Sequence, residues 1–262
     1  MKSIRIITII SLFAMMGCQQ QPEPSSQPDS GPPVAGSFSD DLAFLKDHTD
    51  VLLLSGSTMD GQSPAAAQVA ISPSMQGRVL TSTLAGPDGL SLGWINHDLI
   101  ASGDTLEHMN PYGGEDRFWI GPEGGQFSVF FKKGDPFDLE HWFTPAGFDT
   151  EPFEVASASG QEVVFHKSLT LENYSGALFE VGVERTIRLF DRAQIEDLLN
   201  MALGESVRSV AFESDNVIKN SGENAWNEDT GLLSIWILGM FNPSPATTIV
   251  IPFKEGADAE LG

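Results

Sequence analysis

The sequence predicts an all-β sandwich, on three observations. Residues 178–190 alternate, with Phe179, Val181, Val183, Ile187 and Leu189 on one face and Glu180, Glu184 and Arg188 on the other. That period of two describes a strand with one buried and one wet face. Residues 232–241, LLSIWILGMF, are apolar on both faces apart from Ser234. Such a run fits a central strand covered on each side, which puts Trp236 in the core. Elsewhere, many short β-type runs are broken by Gly, Ser and Pro, and at most two helices are predicted, the pattern of packed sheets.

Taken in order, the chain opens with Lys2 and Arg5, an apolar run over residues 6–16, and Gly17-Cys18. This matches a secretory signal, residues 1–17, ending in a lipobox-like site. Cys18 is the only cysteine in 262 residues, so it has no internal disulfide partner. The economical reading is cleavage before Cys18 and lipidation of its thiol, giving an exported protein tethered to a bacterial membrane. Gln19 is compatible with outer-membrane sorting. The alternative is an ordinary secretory signal with an incidental cysteine, since Met15 stands where lipoboxes usually carry Leu. A spanning helix would need roughly 20 apolar residues, more than this run supplies. Residues 18–37 are Gln, Pro, Ser and Gly with almost no apolar content, as expected of a flexible tether.

Residues 38–262 are expected to form one sandwich domain. Ser39-Asp40-Asp41 ahead of Leu42, Phe44 and Leu45 reads as a capped short helix. Residues 51–54, 68–71, 78–84, 126–131 and 162–173 read as strands, and residues 174–177, YSGA, as a hairpin turn into 178–190. Residues 194–202 read as a short amphipathic helix and 247–253 as a strand. KEGADAELG then follows without a closing element, so the sandwich is expected to be C-terminally incomplete, a piece of a longer gene product.

The net charge is −22, and without Lys2 and Arg5 the mature chain carries 12 basic against 36 acidic residues, near −24. Such a surface repels phosphate backbones, so no nucleic-acid partner is expected. Acidic balance is otherwise a solvated exterior, and does not choose between calcium and neutral sugars.

Residues 108–145 concentrate the unusual side chains. Gly113-Gly114 and Gly124-Gly125 bracket Glu115, Asp116, Arg117, Trp119 and Glu123, with His108 and His141 flanking them and Trp142 beside His141. Carboxylates and arginine suit vicinal hydroxyls, an aromatic face suits the C–H face of a sugar, and histidine moves protons near neutral pH. Each has a plainer reading. Glu115 and Arg117 could be a surface pair at a turn, and Trp119 and Trp142 core aromatics. His166 falls on the wet face of a strand and reads as inert; His97 reads as a loop or cap residue. No G-x-S-x-G, Walker, H-E-x-x-H or dinucleotide pattern occurs, and no cluster has zinc spacing. No cofactor is expected; weak carboxylate–carbonyl calcium ligation is the one metal chemistry left.

Residues 77–86 (GRVLTSTLAG), 113–131 (GGEDRFWIGPEGGQFSVFF) and 220–241 (NSGENAWNEDTGLLSIWILGMF) carry a resemblance. The chain resembles an uncharacterised family of bacterial lipoproteins and exported proteins. That family is in turn distantly similar to the galactose mutarotase (aldose 1-epimerase) superfamily. The resemblance implies a galactose-mutarotase-like β-supersandwich with a sugar-binding face. It implies a sugar contact at Arg78, and a second at the residue before the Gly pair, which here is Tyr112 rather than histidine. It implies a histidine acid, for which His141 is nearest by order, with His108 the other candidate. The late catalytic glutamate of the epimerases has no counterpart here, because Glu255 and Glu260 lie in no matching motif.

Three functions follow as expectations. The first is an exported, lipid-anchored protein that binds a sugar or glycan through Arg78, Tyr112, Glu115, Asp116, Arg117, Trp119, Glu123 and Trp142. The second is an enzyme at the anomeric carbon using His108 or His141. The third is a non-enzymatic envelope scaffold in which GGEDRFW is a rigid structural turn.

Overall fold

The computed structural model describes residues 4–10, 36–56, 67–252 and 256. Cys18, nearly all of the tether, Glu255 and Glu260 lie outside the described residues. Strand β1 (Ile4–Ile10) falls within the signal-like start. Helix α1 (Phe38–His48) follows, capped by Ser37, whose hydroxyl accepts from the Asp40 amide. Asp40 and Asp41 occupy its first turn, where the helix dipole favours negative charge.

Strands β2 (Leu52–Ser55), β3 (Gln68–Ser72) and β4 (Arg78–Thr83) form an antiparallel sheet. Helix α2 (His97–Ser102) and strand β5 (Arg117–Gly121) come next. Strands β6 (Glu154–Ala158), β7 (Glu162–Glu172) and β8 (Leu178–Leu189) follow. Helix α3 (Arg192–Leu199), β9 (Phe212–Asn220) and β10 (Ser234–Leu238) complete the order.

One layer is the antiparallel sheet β1-β9-β8-β7-β6. The second is assembled from β2-β3-β4 and the pair β5–β10, joined where Val79 bridges Asp116. The Val79 amide donates to the Asp116 carbonyl at 3.1 Å, and the Glu115 amide to the Val79 carbonyl at 2.8 Å. The main core lies between the layers. It takes Val69, Ile71 and Val79 from one side and Phe165, Leu169, Phe179, Val181 and Ile187 from the other, with Phe118 and Ile120 of β5. Each such side chain is worth about 1.5–3 kcal/mol when taken from water. Strand β3 is buried on both faces because α1 covers it: Ala70 joins Phe38, Leu45 and Leu80 in a second cluster.

The all-β sandwich is therefore the observed architecture, and most expected elements lie within three residues of their predicted bounds. Three expectations fail. Residues 126–131 are turns rather than a strand, because the Val129 amide donates to Pro122 O and the Ser128 hydroxyl to Glu123 O. Val129, Phe130 and Phe131 plug the core from that loop. Residues 247–252 form no strand, and Ile249, Val250 and Ile251 stand about 80% exposed there. Among the described residues, strand β10 pairs only with β5, as an edge, and Trp236 is 39% exposed rather than core.

Candidate functional site

The Gly-rich acidic stretch enters the interior at the β4–β5 junction. Gly113 and Gly114 make that entry possible. At Gly113, φ is +88° and an added Cβ would lie 2.2 Å from the Trp94 carbonyl oxygen. At Gly114, φ is +103° and a Cβ would lie 2.7 Å from the Val79 oxygen and 3.0 Å from Cδ of Arg78. Only glycine permits both the backbone conformation and the approach.

The charged residues that follow are buried. Arg117 Nη2 donates to Asp149 Oδ1 at 2.5 Å, and Nη1 to the Asn110 carbonyl at 3.4 Å. Asn110 completes the triad, its side-chain amide donating to Asp149 Oδ2 at 2.7 Å. Burial lowers the Arg117 pKa, and Asp149 opposes that. Asp116 accepts from Arg185 of β8, which also donates to Gly77 O at 3.1 Å and Asn216 Oδ1 at 2.6 Å. Glu115 meets no arginine among the described residues. Its carboxyl accepts from the Ser82 amide at 2.6 Å and the Ser82 hydroxyl at 2.9 Å. Burial raises its pKa to about 7, although the Ser82 hydrogen bonds pull the other way.

Arg78 is the converse case, a buried guanidinium with no carboxylate in contact among the described residues. Its Nη1 donates to Gly113 O at 3.0 Å and its Nη2 to Gln76 Oε1 at 3.2 Å, while Nε has no partner among the described residues. Burial, and then the neighbouring Arg117, hold its pKa well below the usual arginine value. The half-buried Tyr112 ring lies 5.5 Å from the Arg78 guanidinium carbon. Burial and the nearby Asp149 raise the pKa of that phenol.

An aromatic stack continues the cluster. The guanidinium of Arg117 sits 4.3 Å over Trp119, Trp119 stacks on Phe130 at 5.6 Å, and Phe130 on Trp142 at 5.0 Å. Trp119 Nε1 donates to Glu123 at 2.7 Å. His108 donates from Nδ1 to the Trp142 carbonyl at 2.7 Å, which brings it to the segment holding His141. His141 pairs with Asp138 at 2.6 Å on the surface, and that hydrogen bond raises its pKa.

The structure thus draws Arg78, Tyr112, Glu115, Asp116, Arg117 and Trp119 into one contiguous cluster, with Glu123, Trp142, His108 and His141 on its rim. His97, the first residue of α2, pairs with Asp41 at 2.8 Å. His166 lies on the outer face, 3.5 Å from Glu184. Sequence reasoning missed Asp149, Asn110, Ser82 and Arg185. Arg185 had a signal, since it shares strand parity with Val183 and Ile187. Asp149 sits in a loop with no periodicity and had none. Among the described residues, no group of His, Cys, Asp and Glu is placed to hold a metal ion, and no helix is long and apolar enough to cross a membrane.

A model of a family of unknown function, DUF6786, matches residues 36–261. The chain belongs to that family. Neither the curated proteins nor the solved structures compared with it yield a match. The family's span contains every residue of the cluster.

Proposed function

We propose that this family member is an exported, lipid-anchored carbohydrate-binding module of the cell envelope, held to the membrane through Cys18 after cleavage has removed the segment carrying β1, and acting without catalysis. The observation that carries the reading is Arg78. A buried guanidinium with an unbonded Nε and no carboxylate in contact is expensive for a purely structural group. Such a group is useful where a hydroxyl-bearing ligand completes its hydrogen bonds. Tyr112 lies over it, half-buried, with an aromatic face suited to a sugar ring. The mutarotase-like resemblance supports the same residue. Epimerase chemistry needs an acid and a base opposed across the ring. His108 and His141 are instead engaged with the Trp142 carbonyl and Asp138.

A second reading, the envelope scaffold, is favoured by one observation. Glu115, Asp116 and Arg117 are each at most 2% exposed and bonded internally. One titration separates these readings. The full chain is mixed with neutral and acidic monosaccharides while tryptophan fluorescence is followed. A saturable change that Arg78→Ala removes, in a chain still folded by circular dichroism, upholds the binding module. A folded chain with no response leaves the scaffold. Exchange of anomers faster than in buffer, seen by NMR, would instead make it an enzyme. Cys18→Ser is expected to move the protein from the membrane to the soluble fraction; retention in the membrane would refute the anchor.

A further inference from the structure

The outer face of the β6–β9 sheet carries a depression that the Arg78 cluster does not use. Glu180, Gly182, Glu184, Thr186 and Arg188 are the outward positions of β8. Gly182 lies directly opposite Ser168 on β7 and Lys219 on β9. An open groove of about 280 Å³ sits over it, lined by Glu154, His166, Lys167, Ser168, Val183, Glu184 and Lys219.

A glycine inside a strand requires a reason, because it costs roughly 0.5–1 kcal/mol relative to alanine. The usual reasons are a bulge, a bend, or the close approach of another group. Gly182 is not among the glycines with a left-handed backbone. Its pairing with β7 and β9 runs without a shift of register. An added Cβ would meet only the Lys219 carbonyl oxygen, at 4.0 Å, which is ordinary contact. Among the described residues, neither conformation nor packing calls for glycine here. What remains is a group approaching the sheet from outside.

We propose that this depression binds a neutral polyhydroxylated ring, a saccharide unit laid against the bare backbone of Gly182. Charge complementarity selects that class. Glu154 and Glu184 meet Lys167, Lys219 and His166 around the groove, so an ion of either sign meets a like charge, and a neutral polyol meets none. Glu184 Oε2 lies 3.5 Å from His166 Nε2 and 3.9 Å from Lys219 Nζ. Both separations reach or exceed the limit of a direct hydrogen bond. A ring hydroxyl fits this geometry by donating to the carboxylate while accepting from the ammonium, and the Ser168 hydroxyl offers a further contact. The proposal rests on the carbohydrate-binding reading, and places a contact on the sheet face opposite Arg185 and its partners.

The test is a titration of the 15N-labelled full chain with methyl β-glucoside, methyl β-galactoside and diacetylchitobiose, followed by amide shifts. The expected result is saturable shifts at Ser168, Gly182, Glu184 and Lys219 with at least one of the three. Gly182→Val fills the groove with a residue that favours strands, so its melting temperature should match or exceed wild type while binding is lost. Lys219→Gln, a surface change, should weaken binding by about tenfold through one lost charge-assisted hydrogen bond. Shifts confined to the amides around Arg78 and Tyr112 would overturn this site and leave sugar binding standing. Shifts with none of the three sugars would overturn both. Unchanged affinity in a folded Gly182→Val or Lys219→Gln protein would also overturn the site.

Discussion

Glu115 makes stability fall as pH rises, and the effect is large enough to measure. Its carboxyl is buried, and burial raises its pKa from the usual 4.5 to about 7 in the folded protein. Between those values the folded state holds a proton that the unfolded state has released. The stabilisation is fully present below pH 4.5 and is lost as pH rises through 7. At about 1.4 kcal/mol per pH unit, the gap corresponds to about 3 kcal/mol. For a domain of this size, with m near 2–3 kcal/mol/M in urea, the midpoint should drop by about 1 M between pH 5 and pH 8.

Glu115→Gln isolates the effect. A glutamine keeps the hydrogen bond from the Ser82 amide on its oxygen, and its NH2 can donate to the Ser82 hydroxyl once that hydroxyl reverses. The variant mimics the protonated acid at every pH. It should lie within about 1 kcal/mol of wild type near pH 5 and exceed it by about 3 kcal/mol at pH 8. His141, whose pKa is also raised, loses its contribution with rising pH too, but does so in both proteins. The difference between the two urea profiles therefore reports Glu115 alone. A difference that stays flat from pH 5 to pH 8 would refute the assignment of a neutral, buried carboxyl at this position.

Two further substitutions probe the same cluster. Arg117→Ala leaves Asp149 buried with only Asn110 to bond it, and should cost about 3–5 kcal/mol by urea denaturation; a cost below 1 kcal/mol would mean the pair is open to water. Gly113→Ala forces a Cβ against the Trp94 carbonyl at a backbone angle few L residues adopt, and should cost about 2–6 kcal/mol from strain and overpacking; a melting temperature equal to wild type would refute that packing.

The sandwich was legible because β7 and β8 obey a strict alternation, and local pattern is what strands expose to reading. Strand β5 was not, although it lies in the stretch that drew most attention. Its residues, RFWIG, are buried at every position, so they show no alternation. Trp236 was read as core because its neighbours are apolar. Its exposure depends on β10 being an edge, which is a fact of sheet order and not of the segment. The loop at residues 126–131 failed for a related reason. Val129, Phe130 and Phe131 are as apolar as any strand, yet they reach the core from a turn. For the cluster, residue types pointed to the right members. Their partners come from across the fold, with Ser82 33 residues before Glu115, Asp149 32 after Arg117, and Arg185 69 after Asp116. Pairings at that separation leave no local trace.

Those pairings leave a remainder that bears on function. Among the described residues, Arg117 is matched by Asp149 and Arg185 by Asp116, whereas Arg78 has no acid and Glu115 no base. Glu115 answers burial by holding its proton up to about pH 7. An arginine has little such recourse, because its guanidinium stays charged in proteins. Arg78 therefore carries an unrelieved cost, which an apolar side chain of similar length would remove. Arg78→Met should leave stability unchanged or raise it, as replacing buried charges by packed apolar groups often does. The lost bonds to Gly113 O and Gln76 are the opposing term. If the guanidinium contacts a sugar, the same substitution should abolish binding in a protein at least as stable as wild type, the signature of a group retained at the expense of stability. A marked fall in melting temperature would show Arg78 to be structural, and with it the Arg78-centred binding reading would fail.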